Sequence, residues 1–237
     1  MKTLIVLAGG FGTRLKSVVS DLPKPLAPVD NNSFLKLLIL NWVSQGVTKF
    51  ILLLHYKPKK FIELIDSMQA DGSLDGVEVD YIIERIPLGT GGSIANAINV
   101  LNITESFLVT NADTWLDSGL IELSSNSPCC IGVIRAESCE RYGAILLREN
   151  KIIKFIEKNQ TEGSGIINAG IYHLIPSIFE NIKNDIPVSL EREIFPELSS
   201  SGKIDGILLD GNFIDIGVPK DYTRFCKWIT DGKKNEL

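Results

Sequence analysis

The sequence predicts an α/β protein built on a doubly wound, mostly parallel sheet. In the first half of the chain, short apolar runs typical of buried strands alternate with longer segments of helical periodicity. Two of these runs are followed by glycine-rich loops, which are typical of the ligand-binding edge of such sheets. The resulting order, β-α-β-α-β-α-β, predicts a three-layer, Rossmann-like arrangement with helices on both faces of the sheet.

The first half contributes four predicted strands and three predicted helices. The strands are Thr3–Val6, Phe50–Leu54, Val77–Ile83 and Phe107–Thr110. The helices run from about Phe34 to Gln45, from Pro58 through Met68, and from Gly91 to about Val100. Ser33 is a suitable N-cap for the first helix, and Gly46 is a suitable end for it.

The second half of the chain changes to short strands separated by turns. The predicted strands are Ile131–Ile134, Ala144–Leu147, Ile152–Ile156, Ile166–Tyr172 and Phe213–Gly217. Predicted helices lie at about Pro176–Ile182, Leu190–Leu198 and Pro219–Ile229, and residues 149–151 predict a hairpin turn. Since no break in composition separates the halves, we expect one domain over residues 1–237 and one continuous sheet.

Composition limits the classes of function. A chain of 237 residues with 44% hydrophobic and 22% charged residues is long enough for one α/β domain with a full core. The net charge of -5 argues against a nucleic-acid or anionic-membrane surface. No apolar run reaches the roughly 18 residues of a membrane span, and the short apolar start followed by Gly-Gly predicts a strand, not a signal peptide. We therefore expect a cytoplasmic protein.

The cysteines predict free thiols in a reducing compartment. None of the four forms a C-x-x-C pair, and the chain has only two histidines, so the sequence offers no zinc site.

A glycine-rich loop directly after the first strand is the strongest functional signal. The run Leu-Ala-Gly-Gly-Phe-Gly-Thr-Arg-Leu occupies residues 7–15, and Lys24 follows between two prolines. Glycine lets backbone N–H groups approach an anion, and Arg14 and Lys24 add two cations, so the segment predicts a polyphosphate site. It is neither a P-loop, which needs a Lys-Ser/Thr pair, nor a dinucleotide fingerprint, because Leu15 replaces the third glycine.

Two further features lie at predicted strand ends. Pro87-Leu88-Gly89-Thr90 precedes a helix, and its backbone groups can read the edge of a base or can simply form a β-α turn. Asp113 and Asp215 suit Mg²⁺, which prefers one or two carboxylates plus phosphate oxygens. Asp113 can also serve as a turn residue, and Asp215 can pair with an arginine.

Together these motifs resemble sugar-1-phosphate nucleotidylyltransferases. Gly-Gly-x-Gly-Thr-Arg-Leu with Pro-Lys-Pro looks like the family signature, and Asn111-Ala112-Asp113 looks like its metal motif, with Ala112 in place of the usual glycine. Asp215 resembles the second metal aspartate. Glu157-Lys158 looks like the family's sugar-phosphate pair, although Asn159 replaces the usual proline.

The resemblance implies a GT-A-like nucleotide-diphospho-sugar transferase fold and a role for each matching residue. It implies a nucleotide-binding half at about residues 1–125 and a sugar-binding half at about 126–230. The implied nucleotide-binding residues are Leu7, Ala8, Gly9, Gly10, Gly12, Thr13, Arg14, Pro87, Leu88, Gly89, Thr90 and Asp113. Glu84 is a further candidate, because its carboxylate can accept hydrogen bonds from the N–H groups of guanine or can form a salt bridge with a neighbouring arginine. The implied sugar-binding residues are Tyr142, Gly143, Glu157, Lys158, Asn168 and Ala169. The implied catalytic residues are Arg14, Lys24, Asp113 and Lys158, with Asp113 and Asp215 holding Mg²⁺.

The implied reaction joins a sugar 1-phosphate to a nucleoside triphosphate and releases pyrophosphate. The loops at 14–18, 88–93 and 189–191 look most like D-glycero-D-manno-heptose 1-phosphate guanylyltransferases, which points to GTP and to GDP-heptose for surface polysaccharides. The alternatives are uridylyl-, cytidylyl- or thymidylyltransferases for other sugars, a metal-dependent glycosyltransferase, and a non-catalytic sensor. The family suggests a monomer or homodimer.

Overall fold

The computed structural model describes residues 2–12, 15, 18–19, 21–158, 160–183 and 185–233. The chain divides into two compact units, each assembled from separate segments. Unit 1 comprises Met1–Ile86, Asn111–Ser118 and Gly211–Leu237, and unit 2 comprises Pro87–Thr110 and Gly119–Asp210.

The described residues contain both strands and helices, which places the chain in the predicted α/β class. The strands are β1 Thr3–Leu7, β2 Pro28–Val29, β3 Asn32–Ser33, β4 Lys49–Leu54, β5 Glu78–Ile83, β6 Phe107–Asn111, β7 Thr114–Leu116, β8 Cys130–Ala136, β9 Ala144–Arg148, β10 Lys151–Ile156, β11 Gly165–Leu174, β12 Asp205–Leu208 and β13 Phe213–Asp215. The α-helices are α1 Phe34–Ser44, α2 Pro58–Ala70, α3 Gly89–Leu101, α4 Leu120–Ser125, α5 Phe195–Ser200 and α6 Pro219–Thr230. The elements also include the 3₁₀ turns Lys24–Leu26 and Pro176–Phe179 and a π-helical turn, Leu190–Ile194.

Unit 1 contains the parallel strands that the sequence predicts. Strand β4 lies between β1 and β5, with Thr3 opposite Lys49 and Lys49 opposite Glu78. The apolar runs of β1 and β4 are almost fully buried, as expected for parallel strands covered on both faces. Because parallel strands point the same way, the segments after β1, β4 and β5 leave the sheet at one edge.

A cluster of aromatic rings forms a second part of the unit 1 core. Phe34 of α1 packs against Phe225 of α6 with 5.0 Å between ring centroids, and Trp115 of β7 lies 5.2 Å from Phe225. Strand β7 pairs antiparallel with β13, so that Trp115 is opposite Ile214. The predicted N-cap of α1 is confirmed, since Ser33 Oγ accepts a hydrogen bond from the Lys36 backbone N–H at 3.2 Å. This packing fixes the segment between β6 and β7, which carries Asp113.

Unit 2 is dominated by antiparallel pairing. Its strands follow the order β6-β11-β8-β12-β10-β9, and only β8 and β12 run parallel among the pairs described there. The predicted hairpin is confirmed: Glu149 and Asn150 connect β9 to β10, and Glu149 has a positive φ of 55°. A two-residue connection can join only antiparallel neighbours, so β9 and β10 lie outside the parallel part of the sheet.

Several elements differ from the sequence-based prediction, which contains no counterpart of β2, β3, β7 or α4. Strand β12 was not predicted, because it has only two apolar side chains, Ile207 and Leu208. The helix expected at 176–182 is a short 3₁₀ turn ending at Phe179. The helix expected at 190–198 divides into the π-helical turn and α5, because Pro196 has no N–H to continue a regular helix through that point.

The cysteines and the helices meet two further expectations. All four cysteines are free, and burial raises the pKa of the Cys130 thiol to about 12, which makes it a poor nucleophile. Among the described residues, no helix combines the length and the apolar character that crossing a lipid bilayer requires.

Candidate active site

Unit 1 brings one lysine and two aspartates into direct contact. Lys24 begins the 3₁₀ turn, Asp113 follows β6, and Asp215 ends β13. The Lys24 side chain is buried, and its Nζ lies 2.7 Å from Asp113 Oδ2 and 3.0 Å from Asp215 Oδ1. Because both carboxylates contact the same ammonium, they lie close together at one point of unit 1. The two predicted metal carboxylates and one predicted catalytic cation therefore form a single cluster.

Backbone contacts hold the two aspartates in place. The Gly217 N–H donates to Asp215 Oδ1 at 2.7 Å, and the Ile216 N–H donates to the Asp113 carbonyl oxygen at 3.1 Å. A Cβ on Gly217 would lie 2.8 Å from Asp215 Oδ1 and 3.1 Å from Lys24 Nζ. Glycine at this position thus leaves the space that the lysine and the carboxylate occupy.

The glycine-rich loop is in contact with the same lysine. Gly12 has a φ of +60°, and a Cβ there would lie 2.8 Å from Lys24 Cβ, so glycine permits both the turn and the close approach. The carbonyl oxygen of Leu7 accepts a hydrogen bond from the Ala112 N–H at 3.1 Å, which ties β1 to the segment carrying Asp113. Thr13 and Arg14 lie outside the described residues.

Glu84 is buried in unit 1 beside a histidine that the sequence analysis did not single out. His55 directly follows β4, and its Nδ1 lies 3.0 Å from the Glu84 carbonyl oxygen. Since a carbonyl only accepts, Nδ1 is the donor in this hydrogen bond. The half-exposed Phe11 ring packs edge-on against His55 at 5.5 Å and lies 5.6 Å from Tyr56. The available signal was the position of His55 at the end of a buried parallel strand.

In unit 2 the predicted base-reading loop is held by the segment from Val188 to Glu191. The N–H groups of Gly91 and Gly92 donate to the Val188 carbonyl oxygen at 2.8 and 3.2 Å, and the Val188 N–H donates to the Leu88 carbonyl oxygen at 2.9 Å. Those two glycine N–H groups therefore already have acceptors within the protein.

Thr90 and Glu191 complete this clasp. The Thr90 hydroxyl donates to Glu191 Oε2 at 2.9 Å and accepts from the Leu190 N–H at 2.8 Å. Gly89 has a φ of +70°, and a Cβ there would lie 2.6 Å from the Val188 carbonyl oxygen, which explains why glycine is needed. The clasp could not be predicted from the sequence, because the two segments that form it lie about a hundred residues apart in the chain.

Unit 2 also brings together part of the predicted sugar-binding set. Gly143 has a φ of +77° and packs against the backbone just before Glu157 and Lys158, so the two segments are neighbours. Asn168 is held separately: its Oδ1 accepts from the Gly170 N–H at 2.8 Å, and its Nδ2 donates to the Tyr172 hydroxyl at 3.2 Å. Ala169, which follows it, is buried, and the Arg141 guanidinium lies over the Tyr142 ring at 5.3 Å.

The carboxylates of unit 1 suit a metal ion that takes some of its ligands from the protein and the others from a nucleotide. Within the described part of the chain, no group of three or more His, Cys, Asp or Glu side chains could hold a metal on its own. Asp113 and Asp215 nevertheless converge, and two carboxylates completed by phosphate oxygens are an arrangement that Mg²⁺ favours. The two aspartates therefore fit the metal expected from the sequence, provided that Lys24 moves.

Comparison with known proteins shows what the chain resembles. A family model described as nucleotidyl transferase matches residues 3–232. The D-glycero-alpha-D-manno-heptose 1-phosphate guanylyltransferase of Campylobacter jejuni is 36% identical over 222 residues, which cover 93% of this chain and 97% of that protein. The mannose-1-phosphate guanylyltransferase catalytic subunit beta of Dictyostelium discoideum is 33% identical over 94% of this chain, which spans 62% of the length of that protein.

Solved structures point the same way. The crystal structure of HddC from Yersinia pseudotuberculosis is similar with a TM-score of 0.82 and 36% identity, covering 97% of this chain and 100% of that one. HddC complexed with GMP-PN is similar with a TM-score of 0.81. These likenesses confirm the predicted Rossmann-type, GT-A-like fold class. Nucleotidyl transferases generally use a divalent metal ion.

Proposed function

Because the chain belongs to the nucleotidyl transferase family, we propose that it joins a sugar 1-phosphate to a nucleoside triphosphate and releases pyrophosphate. The proposed substrates are GTP and D-glycero-alpha-D-manno-heptose 1-phosphate, which give GDP-heptose for surface polysaccharides. The observation that carries this proposal is the likeness to a heptose 1-phosphate guanylyltransferase over nearly the full length of both chains. The structure of HddC with GMP-PN supports the choice of a guanine nucleotide.

In the proposed reaction, a phosphate oxygen of the sugar 1-phosphate attacks the α-phosphorus of GTP. A new P–O bond forms, the bond to the β-phosphate oxygen breaks, and pyrophosphate leaves with the electron pair. The attacking phosphate is already ionised at neutral pH, so no general base is required. Catalysis then depends on in-line positioning and on neutralising phosphate charge.

The roles follow from the charge of each side chain and the family likeness. We assign Arg14 to the departing pyrophosphate, Lys24 to the α-phosphate and Lys158 to the sugar phosphate. The proposed nucleotide contacts are those of residues 7–10, 12–14, 84, 87–90 and 113. Glu84 accepts hydrogen bonds from guanine, which presents N–H donors on its Watson–Crick edge. Tyr142, Gly143, Glu157, Asn168 and Ala169 contact the sugar.

Asp113 and Asp215 would hold Mg²⁺ in this proposal. A bound Mg²⁺ neutralises charge on the phosphate oxygens of the nucleotide. The two carboxylates keep their positions through the backbone of residues 216 and 217, whereas Lys24 can turn its ammonium toward a phosphate.

The function is tested by incubating the protein with each of GTP, UTP, CTP and dTTP and a panel of sugar 1-phosphates. Pyrophosphate release and the nucleotide-sugar product are measured together. We expect GTP with the heptose 1-phosphate to give the highest kcat/KM. Mannose 1-phosphate is the most informative competitor, given the Dictyostelium relative. A clear preference for UTP, CTP or dTTP would contradict the guanine assignment, and glycosyl transfer without pyrophosphate would indicate a glycosyltransferase.

We also propose that the protein works in the cytoplasm as a monomer or homodimer and that residues 1–237 form one functional domain. Four free cysteines suit a reducing compartment. Cell fractionation and light scattering of the purified protein test the compartment and the assembly.

A further inference from the structure

The ammonium of Lys24 lies where the two proposed metal carboxylates converge. It contacts Asp113 Oδ2 at 2.7 Å and Asp215 Oδ1 at 3.0 Å, and the lysine side chain is only 7% exposed. A buried ammonium is stable only when anions compensate it, so this contact satisfies the lysine as well as the acids. A divalent cation on the same oxygens would need the place that the ammonium occupies.

We propose that Lys24 is a displaceable counter-ion that keeps a divalent cation off Asp113 and Asp215 until a triphosphate draws the lysine away. The inference rests on the proposed function in one respect, the assignment of these two aspartates to the metal. In the resting protein the lysine holds the carboxylates together. When the nucleotide arrives, its phosphates offer the ammonium another anion, and the aspartates become available.

The charges in the cluster favour this order. Two carboxylates and one ammonium leave a single net negative charge, which attracts a divalent cation far less than two uncompensated carboxylates would. Mg²⁺ also binds its oxygens at about 2.0–2.1 Å, so a metal bound beside the unmoved ammonium would meet strong repulsion at short range. Within the described residues no third acidic, histidine or cysteine side chain completes a metal site, so the other ligands must come from elsewhere.

The surroundings of Lys24 allow the ammonium to move while the backbone stays. Pro23 and Pro25 restrict the backbone on either side, and Gly12 packs closely against Lys24 Cβ. The four-carbon stem beyond Cβ remains flexible, as lysine stems are. Gly217 places no side chain beside Nζ, where a Cβ would lie only 3.1 Å from the ammonium.

The test measures Mn²⁺ binding to nucleotide-free protein by electron paramagnetic resonance. Lys24→Met removes the charge but keeps an unbranched side chain, and we expect it to bind Mn²⁺ at least about tenfold more tightly than wild type. Adding Asp113→Asn to that variant should abolish the gain. Lys49→Met is the matched control, because Lys49 Nζ also contacts two acids, Glu78 at 3.4 Å and Asp80 at 2.8 Å. It should leave the Asp113-dependent affinity unchanged.

A second variant protects the test against misfolding. If Lys24→Met does not fold, Lys24→Gln retains a hydrogen-bond donor without the charge and should show the same gain, whereas Lys24→Arg should resemble wild type. If neither neutral variant binds Mn²⁺ more tightly, the counter-ion role is wrong.

One further comparison separates this inference from the metal assignment itself. When both proteins are loaded with GTP but no sugar 1-phosphate, the single variant Asp113→Asn, which keeps Lys24, should bind Mn²⁺ more weakly than wild type. If it does so while Lys24→Met gives no gain, the metal assignment holds and the counter-ion role is overturned. If Asp113→Asn has no effect on the loaded protein, both are overturned.

Discussion

At the scale of single residues, three charged side chains and a few glycines define the candidate site of unit 1. Lys24 contacts both aspartates, and Gly12 and Gly217 leave the space that these contacts need. The sequence identified all three charged residues through their positions at strand ends and between prolines. It did not reveal that they contact one another, since residues 24, 113 and 215 meet only after the chain has folded.

The first prediction concerns Asp113. We expect Asp113→Asn to lower kcat by about a hundred- to a thousandfold, the range found when one group that stabilises transition-state charge is removed. Folding should persist because Lys24 keeps its contact with Asp215, so the melting temperature should move by only a few degrees. Steady-state kinetics and a thermal melt measure the two effects.

Asp66→Asn is the control for this prediction, because Asp66 is an exposed residue of α2 and the same charge is lost. Near-normal turnover of purified Asp113→Asn would refute its catalytic assignment.

At the scale of elements, the clasp between the 87–92 loop and the segment from Val188 to Glu191 joins two distant parts of unit 2. Its hydrogen bonds use the N–H groups of Gly91 and Gly92 and the hydroxyl of Thr90. The sequence predicts that backbone groups of this loop can read the edge of a base. Several backbone groups of the loop already have partners inside the protein, and these contacts preorganise the loop.

Thr90→Val tests the clasp, because valine has nearly the shape of threonine without its hydroxyl. Loss of the bonds to Glu191 and Leu190 should lower the free energy of unfolding by about 1–3 kcal/mol. The KM for GTP should rise more than the KM for the sugar 1-phosphate, since the proposed loop contacts are with the nucleotide. Urea unfolding and initial-rate kinetics give both quantities.

Thr90→Ser keeps the hydroxyl and is the matched control, expected to stay close to wild type in both measurements. A Thr90→Val protein as stable as wild type, with unchanged KM values, would show that the clasp contributes nothing.

The elements that could be predicted from the sequence are those marked by local patterns, such as apolar runs and helix caps. Strands β1, β4 and β6 were recognisable because buried parallel strands are continuous apolar runs, and α1 because Ser33 caps it. Strand β12 was not recognisable because it forms through pairing with β8, which is distant in the chain. The π-helical turn was not recognisable because the sequence predicts one helix over 190–198, which divides at Pro196.

At the scale of the whole molecule, the chain passes between the two units four times. Unit 1 is assembled from three segments and unit 2 from two. All three tryptophans, Trp42, Trp115 and Trp228, belong to unit 1, whereas both units contain helices and strands.

Urea unfolding therefore tests the proposal of a single domain. Tryptophan fluorescence follows unit 1 alone, whereas far-ultraviolet circular dichroism follows both units. We expect the two transitions to coincide, because neither unit is a continuous stretch of chain that could fold first and leave the other intact. A fluorescence midpoint clearly different from the dichroism midpoint would show that the units unfold separately.

The segment order also has a consequence for synthesis on the ribosome. Every residue of unit 2 has been translated by Asp210, but unit 1 still lacks β13 and α6, whose Asp215 and Phe225 complete its acidic cluster and its aromatic core. During translation, Lys24 and Asp113 are therefore synthesised before Asp215, which follows Asp113 by about a hundred residues. A nascent chain stalled at Asp210 would carry every strand of unit 2 but could not yet assemble the cluster of Lys24, Asp113 and Asp215 in unit 1.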